Sequence, residues 1–112
     1  MSSMQNNNIQ LAIITAIESC RASIIQLLKN ASVNTFTIYE AVGYKDNSTE
    51  DVNNNWFGSE YYEIPSVVFN IFATEETVQT IKKSVNSLNE ASEYESKIHF
   101  VICPIADSNY EK

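Results

Sequence analysis

The sequence has 112 residues, 44% hydrophobic and 19% charged, the balance of a globular chain of one domain. Its net charge of −7 excludes the clustered Lys and Arg surface that a nucleic acid or an anionic membrane requires, and Arg21 is the only arginine. No apolar run is long enough to span a bilayer, and MSSMQNNN lacks the basic-then-apolar order of a secretory signal, so residues 1–8 read as a flexible tail and the expected location is the cytoplasm.

Residues 9 to 17, IQLAIITAI, place Ile9, Leu11, Ile13 and Ile17 on one side at period two and Ala12, Ile14 and Ala16 on the other. Apolar residues on both sides predict a strand covered on both faces. Ser19 offers a helix cap, and Cys20, Ile24, Leu27, Leu28 and Ala31 follow at helical spacing, which predicts an amphipathic helix over 20–30. In VNTFTIYEAV, 33–42, Phe36, Ile38 and Val42 alternate with Thr35, Thr37 and Tyr39, which predicts a second strand that Gly43 ends.

A long polar, acidic loop is expected next, over 44–65, carrying Tyr44, Trp56, Phe57, Tyr61 and Tyr62. Its last part, FGSEYYEIP, reads as a limb that returns into the sheet. After Pro65, SVVFNIFA alternates Val67, Phe69 and Ile71 with Val68, Asn70 and Phe72 as a third strand. Thr74 caps a second helix with Glu75 and Glu76 in its first turn, where negative charge suits the helix dipole. Val78, Ile81, Val85 and Leu88 form its core stripe. Residues 89–96 are a polar connection, 97–105 a last strand with Ile98, Phe100 and Ile102 on one face, and 106–112 a second tail.

This order predicts an α+β, ferredoxin-like βαββαβ domain over 9–105. Four antiparallel strands would carry two helices on one face and a long loop between strands two and three. The other sheet face would be apolar and in need of a cover, which association of copies can supply.

No catalytic constellation stands out, so an enzyme is not expected. His99 is the only histidine and lies mid-strand, with no sign of a nucleophile beside it. Cys20 and Cys103 match no CxxC pattern and read as reduced core thiols; no metal ligand is assigned.

Three segments together, FTIYEAVG (36–43), GSEYYEIPSVVFNIFATEETVQTI (58–81) and KIHFVICPI (97–105), resemble the PII signalling proteins and their PII-like relatives. Those proteins have a T-V-T-E-V-x-G strand, a long T-loop, a G-[AS]-E-Y segment leading into L-P-x-V, and a last strand opening G-x-G-K-I-F-V. Thr37, Glu40 and Gly43 fall near the first pattern, Gly58, Ser59, Glu60 and Tyr61 on the second, and Lys97, Ile98 and Val101 near the third.

The resemblance implies a homotrimer that binds a small effector in clefts between subunits and controls a protein partner, such as a membrane transporter or an enzyme, through the 44–65 loop. It assigns Thr37, Gly43, Asn47 and Lys97 to ligand binding, and Tyr44, Trp56, Phe57, Glu60, Tyr61 and Tyr62 to the partner-binding loop. Read without it, Thr37 is an outward strand threonine, Gly43 serves a turn, Lys97 is a solvated strand-edge lysine, and Trp56 and Phe57 fold back on the sheet or plug a cleft.

The chain departs from the family where its nucleotide site lies. The glycine-rich phosphate loop is replaced by EYESK, with Tyr94 and Ser96 in place of glycines and Glu93 and Glu95 adding negative charge. No arginine follows the last strand, and Asn47 and Ser66 stand where the 2-oxoglutarate site has Gln and Lys. The ATP, Mg and 2-oxoglutarate site of the family is thus degraded here, and the cofactor is left unassigned. Two other readings are a trimeric interaction module without a ligand and a metal-handling protein of the CutA type.

Overall fold

The first apolar alternation forms β1 (Ile9–Ile17), and the chain then follows α1 (Arg21–Asn30), β2 (Thr37–Asp46), β3 (Tyr61–Thr74), α2 (Glu75–Ala91) and β4 (His99–Pro104) in a computed structural model that describes residues 9–46, 61–92 and 97–109. The sheet order is β2-β3-β1-β4, and every neighbouring pair is antiparallel. β1 and β2 both pair with β3, so each lies parallel to the other with a strand between them, the split βαβ arrangement expected of a ferredoxin-like domain.

The two helices cover one face. Ala12, Ile14 and Ala16 of β1, and Val67, Phe69 and Ile71 of β3, are buried against Ile24 and Leu28 of α1 and Val78, Ile81 and Val85 of α2. Phe36 joins this core with its ring centroid 5.9 Å from that of Phe69. Burying a side chain such as Ile14 or Ile81 contributes about 1.5–3 kcal/mol over leaving it exposed, and that sum anchors the helices to the sheet.

Local signals decide most ends. Thr74 caps α2 as expected, its hydroxyl accepting from the Thr77 amide at 3.3 Å. Ser19 does not cap α1: it sits inside a 3-10 turn, Glu18–Cys20, and the N-cap position falls on Cys20 with no side-chain bond. That turn is instead tied by Arg21, which donates from Nε to Glu18 at 2.5 Å. α1 ends without glycine. Ser32 takes φ of 65°, and the amides of Ser32 and Val33 return to the carbonyls of Lys29 and Leu28 at 3.0 Å each, closing a Schellman motif.

Four boundaries differ from expectation. α2 runs on to Ala91, into the stretch expected to be a connection, and β4 opens at His99. Gly43 does not end β2: it lies inside the strand opposite Ile64, and pairing continues to Asp46 opposite Tyr61. β3 begins at Tyr61, not after Pro65, so the returning limb does pair as expected over 61–65. β1 reaches only Ser66, which leaves 42–46 and 61–65 as a two-stranded ribbon beyond the sheet. Pro65 is tolerated there because one flank of β3 has no strand to bond.

Candidate functional site

Two surfaces stand out. The first is the sheet face away from the helices. Its positions are Ile9, Leu11, Ile13, Thr15 and Ile17 on β1, Thr37, Tyr39, Ala41 and Gly43 on β2, Ile64, Ser66, Val68, Asn70 and Phe72 on β3, and His99, Val101 and Cys103 on β4. None of these is Asp, Glu, Lys or Arg in a chain of net charge −7. Phe72, Tyr39 and Val101 stay 43%, 48% and 50% exposed. A face this apolar marks a surface for association.

The second is the base of the β2–β3 ribbon. On its helix side an open cleft of about 480 Å³ is lined by Glu18, Glu40, Ala41, Val42, Glu63, Pro65 and Ser66. Arg21 bridges two of its carboxylates, donating to Glu18 and, at 3.2 Å, to Glu40. Its guanidinium beside Glu18 holds that carboxyl below the usual glutamate range, and Glu18 in turn raises Arg21. The third carboxylate, on Glu63, accepts from the Tyr44 hydroxyl at 3.4 Å. Tyr44 and Tyr61 meet edge to face at 6.3 Å, on the same side. The cleft therefore presents carboxylates, and the one guanidinium near them is already engaged. Such a lining repels a phosphate and suits a cationic or neutral group.

The expected site residues separate. Thr37 lines a small cleft of about 150 Å³ with Thr35, Phe36, Asn70 and Phe72. Gly43 lies on the same strand and side, roughly 20 Å further along at the rise of extended chain. There a Cβ would lie 3.0 Å from Ser66 Oγ, so the glycine relieves a close contact between strands and no turn is present. Lys97 lies before β4, at the opposite sheet edge from β2, and its Nζ donates to the Asn89 carbonyl at 3.1 Å. One subunit does not bring Thr37, Gly43 and Lys97 together. Of the loop residues, Tyr44, Tyr61 and Tyr62 stand on the ribbon, each more than half exposed. Asn47, Trp56, Phe57 and Glu60, and the EYE of the EYESK segment with Ser96, lie outside the described residues.

Two residues with a place in these surfaces carried no sequence signal. Glu63 reaches the cleft only through the ribbon pairing, and Asn70 looks like an ordinary outward strand position. The Glu18–Arg21 pair, by contrast, is legible as an i,i+3 spacing. Among the described residues no group of three or more His, Cys, Asp or Glu is placed to hold a metal, and no helix is long and apolar enough to cross a membrane.

No family model and no curated protein matches the sequence. Solved structures do match. Bacillus subtilis GlnK in complex with ATP superposes with a TM-score of 0.60 at 13% identity, over 84% of this chain and 80% of that one. CPII, a nitrogen regulatory PII-like protein from Thiomonas intermedia K12 bound to ADP, AMP and bicarbonate, gives 0.59 at 13%, over 89% and 94%. Arabidopsis thaliana PII bound to citrate gives 0.63 at 9%, over 92% and 82%. At these identities the likeness is one of fold: this chain has the ferredoxin-like βαββαβ fold of the PII and PII-like proteins.

Proposed function

We propose that the chain is a divergent PII-like regulatory protein, a non-enzymatic homotrimer whose β2–β3 ribbon and the 47–60 segment beyond it engage a protein partner. The observation that carries this is the uncharged, apolar sheet face on a domain of PII fold: in a chain of net charge −7, copies repel one another least where they bear no acid. Association would also bring the β2 edge of one copy toward the β4 edge of another, the only way Thr37 and Lys97 can share a cleft. In that arrangement Thr37, Gly43, Asn47 and Lys97 bind a small effector. The effector shifts the loop between two states because it binds them with different affinity.

The acidic cleft at the ribbon base favours a second reading, in which the trimer is an interaction module without a nucleotide. Light scattering and thermal denaturation with ATP, ADP, AMP, a cyclic nucleotide, bicarbonate and citrate separate the two. A ligand that binds only the folded state raises the melting temperature. A rise with any of these supports the effector reading. A trimer that none of them shifts leaves the module, and a monomer at all concentrations sinks both.

A further inference from the structure

Asn70 is the one amide on the uncharged face. Its neighbours in the register are Thr37 on β2 and Ile13 on β1, with Val68 and Phe72 two residues to either side along β3. One end of its carboxamide reaches the Tyr39 hydroxyl, Nδ2 to Oη at 3.5 Å. The other end, Oδ1, is buried and has no hydrogen-bond partner. An unpaired buried amide group is costly, and folded proteins supply a partner for nearly all of them.

We propose that Asn70 sets the register in which copies of this chain associate, a second copy supplying the missing partner to its carboxamide. The proposal rests on the self-association read above and adds the residue that makes it specific. A second copy is the occupant that the surface favours. The face is free of charge where the rest of the chain is acidic, and it carries its own complementary hydroxyls in Thr15, Thr37 and Tyr39. Apolar side chains alone define no single alignment, because sliding one copy over the other exchanges one apolar contact for another. A buried carboxamide with one end unpaired penalises every alignment that fails to pair it. It thereby trades affinity for a unique arrangement.

The test compares wild type with Asn70→Leu by sedimentation velocity, native mass spectrometry and backbone amide NMR over a wide range of protein concentration. The wild type is expected to give one oligomer and one set of amide resonances. Asn70→Leu is expected to associate at least as tightly, yet to give more than one oligomer size or more than one set of resonances. Asn70→Val repeats the experiment should Leu fail to fold. A variant that keeps the wild-type size and a single set of resonances overturns the inference and leaves self-association standing. So does a folded variant that falls to monomer, since Asn70 would then supply affinity and not register. A monomeric wild type overturns the association itself.

Discussion

The carboxamide of Asn89 holds both backbone groups of Ile98: Nδ2 donates to the Ile98 carbonyl at 2.9 Å and Oδ1 accepts from the Ile98 amide at 2.8 Å. Asn89 is in the last turn of α2, and Ile98 is the core residue just before β4. One side chain thus imitates a neighbouring strand and fastens the two ends of the connection that follows the helix.

Removing it tests how much of the β4 docking depends on that clamp. Asn89→Ala deletes both bonds and leaves two backbone groups without partners beside the core. The expected loss is about 1–3 kcal/mol, at the cost of one to two modest hydrogen bonds plus incomplete resolvation. Urea denaturation measures it. A change below a few tenths would show that water replaces the amide freely.

Gly43 makes a sharper prediction. Its added Cβ would lie 3.0 Å from Ser66 Oγ, and that hydroxyl donates to the Ile64 carbonyl at 2.9 Å. Gly43→Ala must displace the hydroxyl, so a loss of about 0.5–1.5 kcal/mol is expected, the net worth of one hydrogen bond. In a Ser66→Ala background the same substitution has less to displace and is expected to cost less. A double-mutant cycle reads the difference, and equal costs in both backgrounds would refute the contact.

Ser32 occupies the left-handed position that ends α1, where a Cβ is unfavourable. Ser32→Gly keeps the Schellman bonds and removes that strain. A gain of about 0.5–1 kcal/mol is expected, because the relief is offset in part by the greater freedom of glycine in the unfolded chain. Denaturation midpoints check it, and a loss of stability would mean that the serine side chain has a favourable role in the turn.

The Glu18–Arg21 pair is half-buried at the surface and small in energy, but it has a pH signature. The Glu18 carboxyl is lowered in the folded state by its hydrogen bond to Arg21. Its contribution to stability is therefore present above the ordinary glutamate pKa and is lost as pH falls through the lowered folded value. Arg21→Gln should return the Glu18 titration, followed by side-chain carboxyl NMR, to the ordinary range. The melting-temperature difference between wild type and variant should exist at neutral pH and vanish in acid. A Glu18 midpoint unchanged by the substitution would sever the pair.

Much of the architecture was legible because it is decided by residues close in sequence. Period-two alternation in 9–17 and 66–73, helical spacing through Ile24, Leu27 and Leu28 and through Val78, Ile81 and Val85, and the Thr74 cap each involve a few neighbouring positions. Together with the alternations in 33–42 and 97–105 they determine four strands, two helices and which side of each is apolar. The apolar second side of β1 likewise announced a sheet face without a helix over it.

What the sequence could not show is what depends on which strands lie side by side. Pairing of Asp46 with Tyr61 turns part of an expected loop into a ribbon and carries Glu63 beside Glu18 and Glu40; no local pattern contains those separations. Gly43 looked like a strand end because a glycine at a turn and a glycine under a neighbouring hydroxyl read alike in one dimension. Asn70 looked like any outward strand residue until the sheet placed it between Ile13 and Thr37 with one end of its amide buried and unpaired. Local periodicity determined the elements and their faces, since those free energies are set within one turn or one pleat. Only the tertiary structure decided the register, the cleft and the isolated amide, since these are contacts between residues that meet only when the sheet closes.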